Sequence, residues 1–211
     1  MLFAVLGGFM AGAAWSGERI PLSPAPAKQG RVSVEEALFK RRSVRDFQAK
    51  DLDKRQVSQL LWAAQGVTGK AGLRTAPSAG ALYPLEIFAL DKTGCYRYLP
   101  NEHSLERTAS GDLRPKLVTA ALGQSSAGKA PLDLVIAGSP EKLAWKYKGR
   151  SERYTLIEAG HAAQNILLQA TAMGLGAVPI GAFSDAKVSK LLSLSPGVTP
   201  YYIIPVGYPK R

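Results

Sequence analysis

A chain of 211 residues, 46% hydrophobic and 20% charged, has the composition of an ordinary globular protein, large enough for one sizeable domain or two small ones and unlike a disordered segment. Its formal net charge is +11, but the 27 basic residues are scattered and form no basic arm, helix-turn-helix, zinc-finger or RNA-binding pattern, so nucleic acid is not the expected partner. One cysteine, Cys95, excludes an internal disulfide, and His103 and His161 stand too far apart for a metal-ligand spacing, so no metal is expected.

Residues 1–17 carry no charge. Met1 to Trp15 reads like the hydrophobic region of a secretory signal peptide, with Ala-Gly-Ala at 11–13 or Ala14-Trp15-Ser16 as cleavage patterns. It lacks the usual basic start, and a short anchor or a buried N-terminal helix is the other reading. It is too short and glycine-rich for a membrane span, and none is expected after processing. A signal would place the protein outside the cytoplasm, periplasmic or secreted; otherwise it is cytoplasmic.

Residues 18–32 read as a linker or extended arm, because Pro21, Pro24 and Pro26 prevent a helix. Ser33, with Glu36 three residues on, has the spacing of a capping box and opens a helix whose inner face is Val34, Ala37 and Leu38. At its end stands Arg41-Arg42-Ser43-Val44-Arg45. Three guanidinium forks and a hydroxyl suit a phosphate monoester, each charge-assisted hydrogen bond contributing roughly 1.5–3 kcal/mol. Taken alone, the same cluster is also a solvated helix end offsetting the helix dipole.

Asp51 or Asp53 caps a second helix, with Val57, Leu60, Leu61 and Ala64 at helical spacing. A loop over Gly66–Gly72 leads to Pro77-Ser78-Ala79-Gly80. Glu86–Leu90 and Cys95–Leu99 read as a hairpin around Asp91–Gly94. Further on come a helix over Leu113–Leu122, a buried strand over Leu132–Ala137 and a short helix over Glu141–Lys148. Tyr154–Met173 is mostly apolar or small on every side and reads as a central buried helix, ended by Gly174 and Gly176. Ala177–Ile180 and Tyr201–Val206 read as strands around a helix over Asp185–Leu192. Helices and strands are interleaved but joined by hairpins and long crossovers, which argues for an α+β layer fold without internal repeats. His161 reads as a core histidine, and Cys95 as inert.

On these residues the chain resembles the flavin-dependent nitroreductase superfamily, and within it the SagB-type dehydrogenase branch. The resemblance spans roughly residues 33–209. It rests on Arg41 to Phe47, Ala76 to Glu86, Tyr154, Glu158 to Asn165, Gly174-Leu175-Gly176 and Ile204 to Pro209, in that order. It implies a three-layer fold with a mixed, mainly antiparallel central sheet flanked by helices, formed by residues 33–211. It also implies FMN held at a homodimer interface. In such proteins Arg41, Arg42, Ser43 and Arg45 would bind the phosphate and ribityl chain. Pro77, Ser78 and Gly80 would approach the flavin from the partner subunit. Val178, Pro179, Ile180 and Gly181 would pass along the ring through main-chain groups. Lys210 and Arg211 match a basic pair that reaches the phosphate, or are simply a frayed tail.

Many nitroreductases carry Asn and Gln where this chain has Ala81 and Tyr83, so their substrate pocket is not copied here. The implied reaction is hydride transfer through flavin N5 between a small-molecule donor and acceptor, which needs no protein nucleophile. Branch members acting on azoline peptides use a Lys/Tyr pair for proton removal. Lys146-Tyr147 is the matching pair, against the alternative of an exposed helix face. A non-catalytic flavin- or anion-binding protein on the same fold is the competing function.

Overall fold

The computed structural model describes residues 17–210; the signal-like reading of residues 1–16 and the role of Arg211 lie outside the described residues. The centre is a seven-stranded sheet. In chain order its strands are β1 (Arg19–Pro21), β2 (Leu85–Asp91), β3 (Gly94–Leu99), β4 (Ser104–Ser110), β5 (Leu132–Gly138), β6 (Gly176–Ala177) and β7 (Thr199–Gly207). They lie in the order β1-β4-β3-β2-β5-β7-β6, and every strand pairing is antiparallel. Among the described residues, the one parallel pairing is an isolated bridge between Ser43 and Ala177.

Helices cover both faces: α1 (Val34–Lys40), α2 (Lys54–Gln65), α3 (Arg114–Ala120), α4 (Ser126–Lys129), α5 (Glu141–Tyr147), α6 (Ser151–Ala172) and α7 (Asp185–Leu192). Alternation along the strands divides the core. Ile87, Leu134, Ile136 and Ile204 face α2 and α6, packing on Leu60, Leu61, Ala162 and Ile166. Phe88, Leu90, Val135 and Ile203 face α3, α4 and α7, packing on Leu117, Ala127, Val188 and Leu192. β5 is buried on both faces over all seven residues, which is why it is apolar or small at every position but Asp133. The ala-rich inner face of α6 lets that helix lie close to the sheet. Cys95 is buried in β3, and burial pushes its thiol up to about 11, which keeps it unreactive.

The helix starts obey their capping signals unequally. Asp53 forms a full capping box with Gln56. Ser33 accepts the Glu36 amide at 3.1 Å, but the Glu36 carboxylate turns to Lys40, so only half of the expected box forms. The expected inner face of α1 is also corrected. Only Ala37 is buried; Val34 and Leu38 are 64% and 53% exposed.

Residues 18–32 are more than a linker, because β1 pairs with β4, Ile20 opposite Leu105. Neither strand has a local signature: β1 is three residues among prolines, and β4 (SLERTAS) has one large apolar residue. The arm is then tied to α2. Ser58 donates to the Pro24 carbonyl at 3.2 Å, and Gln59 exchanges hydrogen bonds with Ala27 at 2.8 and 3.1 Å. His103 bridges Ser58 and Tyr98, each at 2.8 Å, and burial lowers its pKa. No helix among the described residues is long and apolar enough to cross a membrane.

Candidate functional site

The basic cluster is laid along the edge of the sheet. Arg41 ends α1, its amide donating to Ala37 O at 2.9 Å. The backbone then extends, and Val44 N donates to Ala177 O at 3.0 Å. Val44 sits over Gly176: a Cβ added at that glycine would lie 2.6 Å from the Val44 Cβ. The chain end joins the same place. Gln48 N donates to Tyr208 O at 2.9 Å, and Lys210 N donates to Asp46 O at 3.0 Å. Residues 41–45, 176–181 and 208–210 are thus brought together by backbone pairing.

Within this group the side chains divide. Arg42 Nη1 donates to the carbonyls of Phe39 and Arg41, at 2.9 and 2.7 Å, which is the helix-end role. Among the described residues, no side-chain hydrogen bond or ion pair engages Arg41, Ser43, Arg45 or Lys210. Three cations and a hydroxyl are therefore available to a phosphate, and Ser43 and Arg45 are exposed. Val178 and Ile180 are buried and spend their amides on Pro205 O and Ile203 O, at 3.3 and 2.8 Å. Pro179 is half-buried and Gly181 exposed, and a Cβ at Gly181 would meet only Tyr202, at 3.9 Å.

The Pro77–Tyr83 loop forms a second group. Ser78 Oγ accepts from Tyr83 N at 2.8 Å and closes a tight turn. Gly80, Ala81 and Tyr83 all have positive φ, of 62°, 54° and 49°. For the two non-glycine residues this conformation costs roughly 1–2 kcal/mol each. Tyr83 repays part of that cost. Its hydroxyl accepts from Arg74 N at 3.2 Å, and its ring lies under the Arg74 guanidinium at 4.4 Å. Arg74 in turn donates to Gln65 at 3.0 Å. Tyr83, at a place where the resemblance implies an amide side chain, is thus tied into the protein.

Lys146 and Tyr147, at the end of α5, converge on this loop. A Cβ at Gly80 would lie 2.9 Å from both Lys146 Nζ and Tyr147 Oη. Tyr147 is braced edge-on by Tyr154, ring centres 5.0 Å apart. The pair is therefore not merely an exposed helix face. From α6, Glu158 Oε1 accepts from Ala79 N at 2.9 Å. Burial raises the Glu158 pKa, partly offset by the Ala79 amide and Ser78. Glu158, Arg74 and Gln65 were not legible as site residues. The only hint was an acid on a helix otherwise small and apolar on its inner side. His161, expected in the core, lies on the exposed side of α6.

No hydrogen bond or bridge among the described residues joins the basic group to the loop group. A separate cleft of about 540 Å³, between the arm, α2 and the second half of α6, contains none of the expected site residues.

This arrangement has relatives. The nitroreductase family profile matches residues 38–208. The chain belongs to the nitroreductase family. Its reaction class is therefore oxidoreduction. A protein of Methanocaldococcus jannaschii named as a nitroreductase is 40% identical over 182 residues, 83% of this chain and 91% of that one. The microcin B17-processing protein McbC of Escherichia coli is 33% identical over 132 residues, covering 57% of this chain and 48% of McbC. A crystal structure of a protein from Ralstonia eutropha, also described as a nitroreductase, superposes with a TM-score of 0.83 at 29% identity, covering 100% of both chains. The nitroreductase resemblance and the SagB-like affinity both stand, as does the α+β fold.

Proposed function

We propose that this nitroreductase-family protein is an FMN-dependent, SagB-type dehydrogenase-like oxidoreductase that works as a homodimer on a small-molecule electron donor and acceptor. The observation that carries the cofactor is the basic group. Arg41, Ser43, Arg45 and Lys210 come from two distant segments of the chain, meet at one sheet edge, and their side chains have no hydrogen-bond or ion-pair partner among the described residues. Gly181, exposed at the end of the neighbouring segment, adds no side-chain bulk: a Cβ there would meet only Tyr202, at 3.9 Å. These residues fit a phosphate and a flat ring. Bound there, FMN supplies two-electron chemistry by accepting and releasing hydride at N5.

The chain's own residues do the rest. The guanidinium forks hold the phosphate and fix the register of the ring. The Arg74–Tyr83 stack and the Glu158–Ala79 bond hold the Pro77–Tyr83 loop. Tyr147 Oη and Lys146 Nζ are the groups positioned to exchange a proton with a substrate beside Gly80. That convergence favours the dehydrogenase branch over simple nitro reduction. The dimer is supported by unpartnered apolar surface: Val34, Leu38 and Phe39 on α1 are 64%, 53% and 78% exposed, with Leu156 and Ile157 exposed on α6. A twofold pair of chains would cover it and bring one chain's loop to the other's basic group.

The test is direct. The purified protein should release FMN on denaturation, seen by absorbance and fluorescence, and elute as a dimer in light scattering. Arg45→Ala should weaken FMN binding by roughly 10- to 100-fold, the value of one charge-assisted hydrogen bond. A colourless protein that takes up no added FMN would sink this reading.

A further inference from the structure

Glu158 is an expensive residue for its position. It is 3% exposed, on the inner side of α6 next to Ala159, and its Oε2 has no hydrogen-bond partner among the described residues. Oε1 accepts the Ala79 amide at 2.9 Å, immediately before Gly80. A glutamine would offer Ala79 the same acceptor oxygen without the desolvation cost of a carboxylate. What the carboxylate adds is charge. A charged acceptor makes the shorter and roughly twofold stronger bond that a strained turn needs. That turn carries positive φ at Gly80, Ala81 and Tyr83.

We propose that Glu158 is a positioning residue. Acting through the Ala79 amide, its carboxylate holds the Gly80 turn in register with Lys146 and Tyr147, and protonation of that carboxylate loosens the turn. Every element packed around Glu158 has a part. The Ala79 amide of the loop donates to it, and Ser78 favours its charge. Arg74, before the loop, and His161, one turn along α6, favour its charge. Lys146 and Tyr147 of α5 lie on the far side of Gly80. Burial opposes the charge and brings its titration upwards from the usual carboxylate range, with the Ala79 amide and Ser78 opposing that shift. The bond is therefore charge-assisted at high pH and weakens to that of a neutral acceptor as pH falls through the folded-state pKa.

The effect on turnover rests on the oxidoreductase reading; the effect on the turn does not. Hydrogen exchange on the full chain, read on peptides spanning residues 77–84 and corrected for intrinsic rates, tests the turn without any cofactor. Glu158→Ala should lower protection by roughly 10- to 100-fold at pH 8. Wild type should lose protection as pH falls through the carboxylate range. Glu158→Gln, which keeps the acceptor, should show partial protection that does not change with pH. In the flavin-loaded enzyme, kcat should follow the same ordering and the acid limb of its pH profile should vanish in Glu158→Gln, while FMN content stays constant. Unchanged protection in Glu158→Ala, or a wild-type pH profile in Glu158→Gln, overturns the proposal. A wild-type protein without FMN defeats the flavin reading alone, because the exchange experiment still decides the role of Glu158.

Discussion

Gly176→Ala is expected to abolish the proposed flavin binding while leaving most of the core folded. The glycine needs no unusual backbone; what it needs is space. The new methyl would stand 2.6 Å from the Val44 Cβ and 2.7 Å from both Val44 methyls. β6 cannot retreat easily, because it is paired to β7 through Gly176–Gly207 and Ala177–Val206. The loop is the softer partner. Near Gly176 it is held by the Val44 N bond to Ala177 O and the Ser43 bridge, and further along by the Gln48 N bond to Tyr208 O and the Lys210 N bond to Asp46 O. Moving it carries Arg41, Ser43 and Arg45 away from Gly181 and Lys210 together.

Loss of two charge-assisted bonds would cost about 3–6 kcal/mol of binding, a Kd increase of more than 100-fold. The overpacking itself should cost about 1–3 kcal/mol of stability. Flavin fluorescence titration beside a thermal melt separates the two. Pairing Gly176→Ala with Val44→Gly removes the clash, so the double variant should bind FMN more tightly than Gly176→Ala alone. Additive losses in that cycle would show that Val44 is not the route of the effect.

Asp133→Asn is expected to stabilise the protein, and only above the acid range. Asp133 lies in β5, opposite Leu90 of β2 and Pro205 of β7, with no exposed surface. Neither of its oxygens has a hydrogen-bond partner among the described residues. The nearby Arg114 is already committed, to both oxygens of Asp112 at 2.8 and 2.6 Å and to Ala130 O at 3.0 Å. Burial therefore pushes the Asp133 carboxyl well above its ordinary range; Arg114 pulls the other way and Asp112 adds to the rise.

A carboxyl raised in the native state binds a proton that the unfolded chain has released. Stability is then full below the unfolded carboxylate pKa and declines as pH rises from there towards the folded value. Asparagine has nearly the same shape and does not titrate. Its advantage should be close to zero near pH 4 and grow to about 2 kcal/mol at pH 7–8, the order of cost of an unpartnered buried polar group. Urea unfolding of both proteins across that range gives the difference directly. A gain of equal size at every pH would mean that ionisation of Asp133 is not its source.

The two groups at the candidate site differ in how far they could be read. The basic cluster was legible because four of five consecutive residues carry its chemistry and because a helix ends there. Its companions Gly176 and Lys210 could be matched only by resemblance, since they meet the cluster through pairing of distant segments. The Lys146–Tyr147 pair could be matched by resemblance but not told from an exposed helix face. Gly80, far away in the chain, makes the difference by having no side chain. Glu158 was visible as an anomaly in an apolar helix, with nothing local to say which amide it serves. β1 and β4 escaped for a related reason: each is too short or too polar to show a period of two, and each is a strand because the other is there.

What the chain determined by itself is what depends on neighbours in sequence: the α+β alternation, the helix caps at Ser33 and Asp53, the buried run of β5 and the phosphate-suited chemistry of residues 41–45. Those follow from propensity, periodicity and side-chain type, which act over a few residues. Only the tertiary structure decided which cations stay free of protein partners, which carboxylate holds the Pro77–Tyr83 loop, and which two side chains face Gly80. Those are questions of distance and burial between residues far apart in the chain, set by packing rather than by local sequence.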